Sequence, residues 1–369
     1  MISPAFLVLI SRNMGNAITA MSAGLLAKPY DATIRAPYWG SRSELMEGPW
    51  SHPRPGISSN RAEVPWCVMA TTNSEIIDAA LARILAEYID EDKAIQTARF
   101  VRDRLTAGLY EALRGEALCK LVTEDLQHVA SDKHLRMLWS DEPQEVNGAE
   151  EDEEFFAGLA RAENQGIRRV ERLTGDIGYI GTTLVAEPAD AATMISAAMA
   201  LVANTKALIL DLRDNRGGST YGMAYWCSYF FPEGESVHLT DVYRRTTGQT
   251  QQFWTLPYVP GERYLRRPVY VLTGPVTFSG AEDLAYNLKV RGRAMLVGES
   301  TRGGAHPTGY YPLTEHITVT VPYARSINPV TGGDWEGIGV APDLAVPVDE
   351  ALDVAYEHAL KRITPSPAR

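Results

Sequence analysis

Between Ile177 and Gly298 the chain alternates short apolar runs with stretches of helical periodicity, and few folds accept that order. The runs Ile177–Val185, Ala207–Leu212, Val269–Thr273 and Met295–Gly298 are each of a length suited to one buried strand. Helical patterns at Ala189–Ala203, Thr220–Phe231 and Gly280–Val290 fall between them. A strand that returns to its sheet in the same direction needs a crossover, usually a helix, so the alternation predicts an α/β domain with an at least partly parallel sheet. A polar, hairpin-like stretch at Val242–Thr255 interrupts the pattern. A β-rich stretch at Tyr310–Tyr323 follows it, and Glu350–Lys361 reads as a closing helix.

The region before this domain is organised differently. Thr72-Asn73-Ser74-Glu75 fits the capping box, and Ile76, Ile77, Ala80, Leu81, Ile84, Leu85 and Tyr88 then recur at helical spacing. Amphipathic stretches at Asp92–Leu105 and Glu116–Val129 complete a three-helix bundle. Asp141–Glu154 holds eight acidic residues and no basic one, which is too much like charge to pack against itself and reads as a solvated linker. The expected organisation is therefore an irregular segment or leader over 1–70, a helical bundle over 71–140, an acidic linker over 141–165 and an α/β core over 166–369.

Charge and cysteine content narrow the function classes. The formal net charge is −11, which opposes binding to nucleic acid or to an anionic membrane surface. Pro4–Ile10 is apolar but short, Met14–Ala27 is small-residue rich and only weakly apolar, and no other stretch approaches the roughly 18 apolar residues of a membrane span. In a secretory leader a basic segment precedes the apolar run, whereas here Ser11-Arg12 follows it, so the ordering favours a cytoplasmic protein over an exported one. Cys67, Cys119 and Cys227 are few, odd in number and widely spaced, and read as core thiols. No HExxH, no i,i+4 histidine pair, no GxGxxG and no GxxxxGK[ST] is present, so neither a metal nor an organic cofactor is expected.

Four constellations could carry chemistry, and each also has a plain structural explanation. In Leu208–Gly218 a buried strand runs into the paired glycines Gly217 and Gly218, whose unblocked N–H groups can approach a ligand. An ordinary strand-to-helix turn would look the same. In Val269–Glu282 a strand turns sharply into a helix with Ser279 at its start, where the free N–H donors of a helix N-terminus favour a developing anion. Ser279-x-x-Glu282 is equally a capping box. Ser131-Asp132-Lys133-His134-Leu135 offers a histidine for general-base work, although a single histidine is usually structural. Finally, Glu336 lies in a glycine- and proline-rich loop, Asn328–Asp343, where it can support a base or simply be solvated.

In combination these pieces resemble one family. The ordered set DLRDNRGG, TFSGAED, GESTRGGA and NPVTGGDWEGIGVAPD is similar to that of the tail-specific, or C-terminal-processing, serine peptidases. SDKHL and the preceding bundle resemble the interphotoreceptor-retinoid-binding-protein-like branch, related to the core of tricorn protease. The resemblance covers about Glu75–Ala359. It implies a crotonase-like (ClpP-like) α/β core, with Ser279 as nucleophile, His134 as base and Glu336 as supporting carboxylate. The backbone N–H groups of Gly217, Gly218 and Gly280 would form the oxyanion hole. Two positions depart from the family pattern. The loop that holds a catalytic lysine in tail-specific members reads Arg302-Gly303-Gly304, which disfavours a lysine dyad. The auxiliary serine that precedes the histidine in tricorn-like members is replaced by Lys133, leaving Lys133 and Asp132 as auxiliary candidates. The interval between the acidic linker and Ile177 is too short for a PDZ domain.

The expected function is a serine hydrolase, foremost a peptidase that cleaves short or unstructured peptides through an acyl-enzyme. Two rivals stand beside it: an idle binding module for a lipophilic ligand, and a biosynthetic hydrolase or acyl transferase acting on a small amide or ester. The joint presence of serine, histidine and glutamate favours an enzyme. A histidine base should make kcat/KM rise through an acidic limb near the unperturbed value of about 6.5. Oligomeric state is not legible.

Overall fold

A computed structural model describes residues 72–143, 157, 158 and 160–364. The expected leader, Cys67 and most of the acidic linker lie outside the described residues.

The central element is a six-stranded sheet in the order β12-β8-β7-β4-β3-β2, formed by β2 (Ile167–Leu173), β3 (Ile177–Thr182), β4 (Ala207–Asp211), β7 (Val269–Thr273), β8 (Met295–Gly298) and β12 (Leu344–Ala345). Pairing is parallel from β3 through β12, and β2 adds an antiparallel edge. In β4 alternate side chains serve opposite faces. Leu208 and Leu210 enter the core formed with α4 (Pro188–Val202), α5 (Thr220–Ser228) and α6 (Gly280–Val290). Ala207 and Ile209 enter a second core, against Ala351, Ala355 and Ala359 of α7 (Ala351–Ile363). A sheet covered on both faces requires apolar residues at every strand position, which is why these strands read as unbroken apolar runs. β2 gives no such signal: it exposes Arg168, Arg169, Glu171 and Arg172, as an edge strand can.

Three helices precede the sheet: α1 (Asn73–Glu87), α2 (Glu91–Thr106) and α3 (Gly115–Ala130). Thr72 caps α1 with the full reciprocal box to Glu75, as its sequence requires. The helices do not close a core by themselves. Beyond α3 the chain forms β1 (Arg136–Trp139), which pairs with β10 (Ile317–Pro322), and β10 pairs with β9 (Thr308–Pro312). Ile317, Val319 and Val321 of β10 fill the same core as Ile77, Leu81 and Leu126. Burying each such side chain contributes about 1.5–3 kcal/mol, so this shared core holds the segment after α3 firmly against the 308–322 region. A third sheet, β11-β5-β6, unites the expected hairpin, β5 (His238–Arg244) and β6 (Gln249–Trp254), with β11 (Ala324–Ile327). Cys119 and Cys227 are buried free thiols. Among the described residues no helix is long and apolar enough to cross a membrane.

Candidate active site

Three loops leave the carboxyl ends of adjacent parallel strands: 212–219 after β4, 274–279 after β7 and 299–307 after β8. Ligands of open α/β sheets bind at that edge. The loop 131–135, delivered by α3 and β1, and the loop 328–343 complete the group.

Ser279 has φ 52° and ψ −123°, a left-handed-side conformation that L residues rarely adopt and that costs on the order of 1–3 kcal/mol. Glu282 holds it there. Its fully buried carboxylate accepts the Ser279 amide at 2.8 Å, and also the Gly303 amide at 2.7 Å, the Gly304 amide at 2.9 Å and the Thr301 hydroxyl. The capping box anticipated from sequence is therefore also the bolt between the serine turn and the loop after β8.

The glycine turn packs directly on that bend. A Cβ at Gly217, which has φ +103°, would meet Ser279 Cβ at 2.7 Å, so only glycine lets the two loops touch. Asn215 ties them together: its backbone carbonyl accepts the Phe278 amide at 3.1 Å, and its Oδ1 accepts the Gly217 amide at 2.9 Å. That second bond occupies the Gly217 N–H, one of the three amides named for an oxyanion hole, and directs attention to those of Gly218 and Gly280. Gly218 and Gly280 themselves touch, since a Cβ on Gly280 would lie 2.6 Å from the Gly218 carbonyl oxygen.

His134 is 6% exposed, and its ring stacks on Phe278, the neighbour of Ser279, with centroids 4.3 Å apart. Its Nδ1 is buried without a hydrogen-bond partner. Among the described residues no hydrogen bond joins this ring to Ser279. Burial disfavours the charged ring, and the positive charges of Arg136, His306 and Arg302 add to that, so the pKa falls to about 3 despite the nearby Asp132. The imidazole is thus neutral across the physiological range, and the limb near 6.5 expected for an unperturbed histidine does not belong to it.

Asp132 shapes the histidine loop: its Oδ1 accepts the His134 amide at 2.9 Å, and its Oδ2 accepts Tyr88 Oη–H at 3.1 Å. Lys133 Nζ donates to the Arg302 carbonyl, while the Arg302 guanidinium covers Phe278 at 4.9 Å. Glu336 is anchored by its neighbour, the buried Trp335, whose Nε1–H donates to the Gly304 carbonyl at 2.8 Å. Glu336 Oε2 accepts the Ala305 amide at 2.6 Å, whereas Oε1 is buried without a partner. Burial and the charge of Asp132 raise its pKa to about 7, against the pull of His306.

One ring nitrogen of His134 and one oxygen each of Asp132 and Glu336 lie within 4.8 Å of one another, a spacing at which such donors can hold a metal ion or pass a proton. His306 stands beside them, 2.7 Å from Asp132 and 3.6 Å from Glu336. Sequence reasoning missed His306, Asn215 and Trp335. Only Asn215 carried a local signal, as the residue two before a paired glycine where an Asx turn forms readily.

Residues 176–346 match the model of peptidase family S41. That stretch, just under half of the chain, is similar to the S41 peptidases. The matched stretch contains the glycine turn, Ser279, His306 and Glu336, while His134 lies outside it in sequence. Over 164 residues the chain is 31% identical to a carboxyl-terminal-processing protease of Synechocystis sp., a match covering 42% of this chain and 36% of that protein. Over 189 residues it is 29% identical to carboxyl-terminal-processing peptidase 2, chloroplastic, of Arabidopsis thaliana, covering 46% of this chain and 32% of that protein. The aligned part of this chain thus spans about a third of the length of these curated relatives. A lipoprotein structure from Streptococcus agalactiae shares the fold, with a TM-score of 0.53, 17% identity and coverage of 80% of this chain and 99% of that one.

Proposed function

We propose that this chain is a serine peptidase that cleaves short or unstructured peptides through an acyl-enzyme on Ser279. The observation that carries this reading is that a buried imidazole, stacked on the neighbour of a serine held in a strained turn, and a nearby carboxylate each keep one unpartnered polar atom, the serine and the carboxylate both lying in the stretch that matches the S41 model. In the proposed mechanism Glu336 Oε1 accepts His134 Nδ1–H, which leaves Nε2 to take the hydroxyl proton as Ser279 Oγ bonds to the peptide carbonyl carbon. The Gly218 and Gly280 amides receive the oxyanion. The leaving amine collects the proton from His134, and water repeats the sequence to release the acid. Asp132 orients His134 through its amide, and Lys133 secures the rim of the site. None of these steps calls for a metal.

The parallel sheet is read as the crotonase-like core of the tricorn-related branch, with residues 71–140 as a bundle docked on it through β1 and β10. The 27 residues 140–166 between β1 and β2 are fewer than the roughly 55 that small self-standing domains use, so the reading places no PDZ module there. The likeness to carboxyl-terminal-processing proteases supports a peptidase over a binding module.

Treatment with a fluorophosphonate followed by peptide mapping tests the reading. The adduct is expected on Ser279 and absent from Ser279→Ala. A folded protein that stays unlabelled would return the binding module to first place.

A further inference from the structure

The proposed mechanism leaves His306 without a task, yet its position is demanding. Asp132 and Glu336 bring two carboxylates together where side-chain exposure is only 2% and 17%, and the ring of His306, itself 15% exposed, lies against both. Its Nδ1 is 2.7 Å from Asp132 Oδ2 and 3.6 Å from Glu336 Oε2. Neighbouring buried carboxylates do not both ionise unless a positive charge compensates them. The three groups therefore share one proton, and its location decides what Glu336 can do. On Glu336, it removes the carboxylate that must face His134. On His306, it leaves Glu336 an acceptor.

We infer that His306 is a positioning residue: as an imidazolium bridging Asp132 and Glu336, it keeps Glu336 ionised beside His134 while Ser279 gives up its proton. The inference rests on the reading of Ser279, His134 and Glu336 as the hydrolytic centre.

The surroundings agree with this placement of the proton. Burial works against a charged His306, but its hydrogen bond to Asp132 and the charges of Asp132, Glu336 and Asp334 outweigh burial and lift its pKa above the ordinary value. The same ring holds Asp132 below the usual carboxylate range, against the effect of burial. From α1, the Tyr88 hydroxyl donates to Asp132 and stays protonated, because burial and that carboxylate push its pKa far up. On the far side, Arg136 and Arg302 act on His134, which burial already keeps neutral. His306 is thus the group in the cluster that can carry the proton at neutral pH without disabling the base or its carboxylate.

The test measures the second-order rate of Ser279 modification by a fluorophosphonate against pH, which needs no knowledge of the natural substrate. His306→Gln should move the acidic limb upward by about one pH unit, so that the rate at pH 6.5 falls roughly tenfold while the rate at pH 9 stays within about threefold of the parent. The double variant His306→Gln/Asp132→Asn removes both buried charges but keeps an Oδ1 acceptor for the His134 amide, and should bring the limb back toward the parent. An equal loss at every pH, with the limb unmoved, would show a merely structural role and overturn the inference. Should the variants fail to fold, 15N-histidine NMR of the parent chain decides the matter: an imidazolium His306 at pH 7 supports the inference and a neutral ring ends it. Labelling that persists in Ser279→Ala would instead sink the reading of the centre, a separate outcome.

Discussion

The two halves of the site are held by different kinds of force. The serine half is fixed by backbone: four donors converge on Glu282, Asn215 staples two turns, and glycine at 217 lets them touch. The histidine half is held by charge and stacking, with two orphaned atoms and the ring of His306 set against the carboxylates of Asp132 and Glu336. A turn that must project an oxygen atom rigidly benefits from many short bonds. A base that gains and loses a proton in each cycle needs groups whose charge can adjust. The contrast implies that changes in the first half should act on geometry and stability, and changes in the second on pH dependence.

The largest expected effect breaks the comparison at its centre. Ser279→Ala and His134→Ala should each lower kcat by at least about 10³-fold, since nucleophile and base act as a unit and the double variant should be scarcely worse. Additive losses, measured by steady-state hydrolysis of a fluorogenic peptide, would show that the two residues do not cooperate. Glu336→Gln comes next, with a loss of about 10²-fold at pH 8. The pH sign follows from the values above: Glu336 must be ionised, its pKa is raised to about 7 and His134 is depressed to about 3, so kcat/KM falls as pH drops through about 7. Glu336→Gln should abolish that limb, whereas a limb that survives it would have to come from another group. The apparent value belongs to the coupled cluster and not to one residue.

Smaller in activity but plain in stability, Glu282→Gln puts an amide among donors that all point inward, and should cost about 2–3 kcal/mol in chemical denaturation. It should leave the position of the acidic limb alone; a shifted limb would erase the division drawn between the two halves.

Legibility divides along similar lines. Four strands of the parallel sheet, the helices between them and the capping boxes at Thr72 and Ser279 are written in local pattern, because burial on both faces demands continuous apolar runs and caps demand particular side chains at particular offsets. Ser279 and the paired glycines could be singled out because a strand, a tight turn and a helix start adjoin in sequence. β1 and β2 escaped notice. β1 is four residues long and makes sense only when paired with β10, while β2 is a charged edge.

Local chemistry thus named the reactive residue types and the turns that present them, because those depend on neighbours a few positions apart. The protonation states were settled by contacts between distant segments: Arg302 and Arg136 press charge on His134, Asp132 meets His306 across 174 residues, and Trp335 seats the Glu336 loop on Gly304. Desolvation and charge proximity exist only once the chain has folded, so an ordinary histidine in the sequence becomes a neutral, buried imidazole in the structure.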